Sequence, residues 1–133
     1  FAFHYAFKNE TTAKTSILNV KNALKYDGLF IGTIPTSDTD YKEKQVTIPG
    51  YDDVFVEPTV TMKHFESLMN TNGFETILLE YFDTYFAKIS QTNNKLLKKM
   101  KADKCPPKNN YAVFVFGLSA LTTNPNANQA AKK

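Results

Sequence analysis

The chain has 133 residues, 42% of them hydrophobic and 14% aromatic, with a formal net charge of +3. Such a chain is one domain or part of one, with enough apolar content for a packed core, which excludes a disordered polymer. No apolar run approaches a membrane span, so no membrane partner is expected, and the single cysteine, Cys105, excludes an internal disulfide and a cysteine-based zinc site. A reducing, intracellular setting fits that cysteine usage. Phe1 already reads as mid-domain sequence, so a fragment is expected.

Phe1-Ala2-Phe3-His4-Tyr5-Ala6-Phe7 sets large rings beside groups that want a polar partner. The mixture suits a strand end, or the loop just past it, where open α/β sheets bind ligands. The plainer alternative is a terminal strand with core aromatics and a His4 that is simply paired. Asn9-Glu10-Thr11-Thr12 then offers helix caps, and Ala13, Ile17, Val20 and Leu24 recur on one helical face. Gly28 is expected to end that helix in the left-handed conformation. Leu29–Ile34 reads as a buried strand closed by Pro35. With the first seven residues as its opening strand, this is a βαβ crossover.

Residues 36–53 turn polar and read as a surface excursion, with a short strand at Gln45–Ile48 before the Pro49-Gly50 turn. Val60, Met62, Phe65, Leu68 and Met69 mark a second helix, ended at Asn70–Gly73. Phe74–Tyr81 reads as a strand and residues 82–101 as a helix in two pieces broken at Gln91–Asn94. Cys105-Pro106-Pro107 stops any helix, and Tyr111–Phe116 is a last buried strand. The two final strands are expected to run antiparallel. The domain therefore spans 1–121, followed by a flexible polar tail, 122–133.

Charge is uneven. Lys95, Lys98, Lys99, Lys101, Lys104 and Lys108 face only Asp103, so residues 95–108 carry +5 and the rest of the chain −2. This is either an electrostatic footprint for phosphates or a solvated helix face. Glycines at 28, 32, 50, 73 and 117 form no GxGxxG-type cofactor loop, which places such a loop upstream.

The run Phe1–Phe7, followed after a helix by Gly28-Leu29-Phe30-Ile31-Gly32-Thr33-Ile34-Pro35, resembles the mRNA cap guanine-N7 methyltransferases, with their FALHY-type run and GGxFIGTxP strand. Asp83-Thr84-Tyr85-Phe86, Asn93–Met100 and Tyr111–Phe116 resemble that family's aromatic helix, N-K-x-L-L-K-R-M segment and closing Y-x-V-F-x-F strand. The blocks cover most of positions 1–118. Two departures stand out: the stretch between Pro35 and Glu57 is short, and the cofactor-binding half is absent.

The resemblance implies the C-terminal half of a class I S-adenosylmethionine-dependent methyltransferase, Rossmann-like and doubly wound with an antiparallel last strand. It implies an enzyme, the mRNA (guanine-N7)-methyltransferase, inactive as this fragment alone, with capped RNA as substrate and no metal. Phe1, His4, Tyr5, Glu57 and Tyr111 correspond to the residues that hold the cap guanine, and Tyr5 also lies near the S-adenosylmethionine donor. Lys95, Lys98 and Lys99 are candidates for RNA phosphates. Further partners are the N-terminal half of the same domain and other capping enzymes. The nucleus is the expected location, or the cytoplasm for a viral protein. The alternative from another class is a non-catalytic, methyltransferase-like subunit that binds RNA or a capping-enzyme partner.

Chemistry agrees with these roles. Guanine offers donors at N1 and N2 that one carboxylate can accept, a pair adenine lacks. Its N7 already bears a lone pair, so orientation, worth roughly 7–11 kcal/mol, is needed rather than a general base. Each residue also has a plainer reading. Glu57 suits a helix start, Tyr111 suits an ordinary strand, His64 a surface, and Cys105 an inert thiol.

Overall fold

The computed structural model describes residues 3–104 and 110–119. Phe1, the Cys105-Pro106-Pro107 stop, Lys108 and the 122–133 tail lie outside the described residues. The opening is not a strand. Phe3–Lys8 is 3₁₀-helical with a kink at Phe7 (φ −82°, ψ 25°), and the burial pattern fits this form. Side chains three apart eclipse in such a helix. His4 and Phe7 are accordingly both buried, Phe3 and Ala6 half-buried, and Tyr5 and Lys8 both exposed. A strand would have put Phe3, Tyr5 and Phe7 on one face instead. The βαβ crossover fails with it.

Asn9 caps α1 (Glu10–Ala23) as its side chain predicts: its Oδ1 accepts the Thr12 N–H at 2.9 Å. Ala13 and Ile17 are fully buried, with Val20 and Leu24 packed against the same core. The helix ends in extended Leu24, and Gly28 is not left-handed; among the described glycines only Gly50 and Gly73 have positive φ. β1 (Leu29–Pro35) then pairs antiparallel with the last strand.

The polar excursion is more ordered than its composition suggests. β2 (Glu43–Thr47) pairs with β3 (Val54–Pro58), a strand the sequence reading missed. Val54, Phe55 and Val56 are all exposed, so burial imposed no alternation that could betray it. Pro49 and Gly50 (φ 90°) turn the hairpin, closed by the Tyr51 N–H on the Ile48 carbonyl at 3.0 Å. α2 (Met62–Thr71), β4 (Phe74–Tyr81), α3 (Phe82–Thr92), α4 (Asn94–Lys99) and β5 (Tyr111–Leu118) complete the order.

β5 lies between β1 and β4 and is antiparallel to both, so the antiparallel final pair is present. One sheet face, with Phe30, Ile34, Ala112, Phe114 and Phe116, meets the helices and forms the core. Phe65 of α2 sits at its centre, with ring centroids 5.2 Å from Phe114, 5.5 Å from Phe116 and 5.7 Å from Phe7. The far face is open around Leu29, Ile31 and Ile77, all exposed.

Truncating the fully buried Phe65 removes every one of those edge-on ring pairings at once. Phe65→Ala in the full-length protein should cost about 3–5 kcal/mol, read as a lower urea midpoint with an unchanged slope.

Candidate functional site

The opening 3₁₀ helix and β3 meet through side chains. Tyr5 Oη donates to Glu57 Oε1 at 3.0 Å, and His4 Nε2 stands 3.3 Å from the same oxygen. The imidazole is close without being aligned: His4 Nε2 is buried and makes no hydrogen bond among the described residues. The rings of His4 and Tyr5 lie 4.3 Å apart, tilted by 33°. Two residues from one end of the chain and one from its middle thus form a single polar cluster.

The cluster is held from behind by the excursion. The Ser37 N–H donates to the Val60 carbonyl at 2.9 Å, and the Tyr41 N–H to the Thr59 carbonyl at 2.8 Å. Asp40 Oδ1 accepts the Thr61 N–H at 2.7 Å, and Thr61 Oγ1 caps α2 by accepting the His64 N–H at 3.1 Å. The start of α2 is therefore served by Asp40 and Thr61. Glu57 stands inside β3, opposite Lys44, and not at the helix start.

Tyr111 opens β5 opposite Pro35, at the alternation positions of Val113 and Val115, and is 37% exposed. The observed polar links join His4, Tyr5 and Glu57; Phe1 lies outside the described residues. Lys95, Lys98 and Lys99 are carried on α4 and form no ion pair among the described residues. His64 is not a bare surface residue, because its Nε2 lies 2.6 Å from Tyr41 Oη. Burial, helped by the charges of Glu10 and Asp40, raises the Tyr41 pKa.

Sequence reasoning also missed a cleft of about 230 Å³ beside Tyr5, bordered by Lys8, Tyr41 and Lys42. The signal lay in the spacing of Tyr5 and Lys8, which becomes a shared face only once the segment is helical. A larger groove, about 560 Å³, runs between the first turn of α2 and Tyr81, with Asp38, Lys63 and Glu66 on its walls. Among the described residues no three His, Cys, Asp or Glu side chains gather as a metal set, and no helix is long and apolar enough to cross a membrane.

A family model described as the mRNA (guanine-N(7))-methyltransferase domain matches residues 1–53. The chain resembles the cap guanine-N7 methyltransferases. The mRNA cap guanine-N(7) methyltransferases of Lodderomyces elongisporus and Saccharomyces cerevisiae are each 50% identical over 38 residues, 29% of this chain. That of Schizosaccharomyces pombe is 40% identical over 50 residues, 38% of the chain. These matches span 7%, 9% and 14% of the three proteins' own lengths. Phe1, His4 and Tyr5 fall inside the matched stretch of this methyltransferase family, whereas Glu57, Tyr111 and the α4 lysines lie beyond residue 53.

The Tyr5 phenol is raised above its ordinary 10.0 by its hydrogen bond to Glu57 first, then by burial and by the carboxylate's charge. The neutral phenol is the donor, so the bond's contribution to stability is complete below pH 10.0 and is lost as pH rises through the raised value. NMR titration of the Tyr5 ring should show ionisation above 10.0, returning toward 10.0 in Glu57→Ala. An identical titration in that variant would mean the bond does not form in solution.

Proposed function

We propose that this chain is the cap-guanine-binding half of an mRNA (guanine-N7)-methyltransferase of class I, Rossmann-like fold, acting on capped RNA with S-adenosylmethionine as donor. The observation that carries the reading is the Tyr5–Glu57 hydrogen bond, with His4 beside it, at the end of a segment that matches this family. Glu57 Oε1 accepts the Tyr5 hydroxyl and keeps a further lone pair, and Oε2 is its second acceptor. Together they suit the paired N1 and N2 donors of guanine. Tyr5 orients the carboxylate, and the unaligned His4 nitrogen is a further partner for the base. Aromatic rings add stacking worth about 1–3 kcal/mol, a role assigned to Phe1 and Tyr111.

The donor supplies an electrophilic methyl group when bound. Of the described residues, Tyr5 fits it best. Its ring is 47% exposed, and its hydroxyl is tied to a carboxylate, which suits a cationic neighbour. The chain's own task is to bind the guanine and fix its direction. Within this reading, the edge of β1 away from β5 and the exposed Leu29 and Ile31 are where the N-terminal half of the domain pairs and packs. The lysines of α4 then follow the RNA backbone.

In the full-length protein, Glu57→Ala should lower kcat/KM for capped RNA at least about a hundredfold, since two hydrogen bonds to a charge disappear. Donor binding, measured separately by calorimetry, should stay unchanged. Normal methylation by that variant would overturn the site. Replacing Lys95, Lys98 and Lys99 by Ala should weaken RNA binding and flatten its salt dependence, by about 0.7 in the log–log slope for each phosphate no longer neutralised. An unaltered slope would make α4 a plain solvated face.

A further inference from the structure

The outward face of the opening 3₁₀ helix carries Tyr5 and Lys8 together, and both border the same small cleft. Lys42 faces them from the excursion, with Tyr41 and Pro58 in the walls and Glu43 as the only carboxylate among the described lining residues. Two ammonium groups stand against one carboxylate in the lining itself, while Glu57 is engaged by Tyr5 and the charges of Glu10 and Asp40 act on Tyr41. Neither lysine forms an ion pair among the described residues, so neither charge is already spent. At about 230 Å³ the space is below the roughly 300–1,000 Å³ typical of pockets for drug-sized ligands, and suits an inorganic anion better than a base.

The cleft is also built rather than incidental. The Lys42 N–H donates to Thr59 Oγ1 at 3.1 Å, and its carbonyl accepts the Thr59 N–H at 2.8 Å. Tyr41, just before it, is held at φ 56°, unusual for a side-chain-bearing residue, with its hydroxyl on His64. Tyr5 is the wall shared with the neighbouring cluster: it borders the cleft while its hydroxyl rests on Glu57. A ligand held on Glu57 by its base would therefore have two ammonium groups next to it.

We infer that Lys8 and Lys42 bind the phosphate chain that joins the guanine to the RNA. This rests on the cap reading above and adds a second subsite to it. Lysine serves as a mobile point charge for phosphate, which suits a flexible chain better than a flat base. The test titrates the full-length protein with guanosine, GpppG and inorganic tripolyphosphate, comparing wild type with the Lys8→Ala, Lys42→Ala double variant. GpppG and tripolyphosphate should bind at least about tenfold more weakly to the variant, and guanosine equally well to both. The Lys8→Arg, Lys42→Arg variant, which keeps the charges, should recover most of the affinity. Equal binding of tripolyphosphate to wild type and variant overturns the inference, as does a parallel drop in guanosine binding. If tripolyphosphate needs the lysines while a Glu57→Ala variant binds guanosine and GpppG as tightly as wild type, the phosphate site stands and the guanine reading falls.

Discussion

The three-residue repeat of the opening helix is the constraint on which the rest depends. The six residues, 3₁₀-helical with a kink at Phe7 (φ −82°, ψ 25°), still sort their side chains into an inward and an outward set. One set, His4 and Phe7, goes inward; Phe7 meets Phe65 and fixes the helix to the core, while His4 is drawn against Glu57. The opposite set, Tyr5 and Lys8, is left outside, with the Tyr5 hydroxyl on the same carboxylate. The anchoring of His4 and Phe7 and the outward placing of Tyr5 and Lys8 are thus two consequences of one short segment. A strand could not do both, because its period of two would align Tyr5 with Phe7.

Glu57 reaches this helix through an arrangement that buries little. β2 and β3 are short and exposed, so side-chain burial contributes little to their pairing. Their position is set instead by hydrogen bonds from residues 36–42 to Thr59, Val60 and Thr61, which tie the hairpin's base to the end of β1 and the start of α2. Both of those elements enter the phenylalanine core, Ile34 and Phe65 being fully buried. The core thus positions a surface carboxylate through a relay of backbone bonds, each worth about 0.5–1.5 kcal/mol net.

Charge is segregated to match. The carboxylate of Glu57 accepts the Tyr5 phenol and stands 3.3 Å from the unaligned His4 imidazole, which leaves it acceptor capacity, and Lys44 lies opposite it across the strand pair. Lys95, Lys98 and Lys99 lie on α4, and Lys8 and Lys42 around the small cleft. The hydroxyl of Tyr5 rests on Glu57 while its ring borders the cleft with Lys8 and Lys42, so the carboxylate and those two ammonium groups are separated by one side chain. The similarity to the cap methyltransferases covers the segment that contributes His4 and Tyr5. The partners that complete the cluster come from sequence beyond it.

Where hydrophobic periodicity was strong, the chain alone settled the outcome. α1, β1, α2, β4 and β5 follow from their apolar spacing, and the antiparallel closing pair from the loop between helix and last strand. The FAFHY run and the FIGTIP strand carried the family likeness by local sequence alone. Three things needed the folded molecule. The opening segment holds too few residues for a period of two to be told from one of three, so its helical form waited on the packing of Phe7 and His4. β3 had no buried face to imprint a pattern on its residues. The meeting of Tyr5 with Glu57, 52 positions apart, and of Lys8 with Lys42 in one cleft, was decided by packing between distant segments, which residue spacing along a chain does not encode.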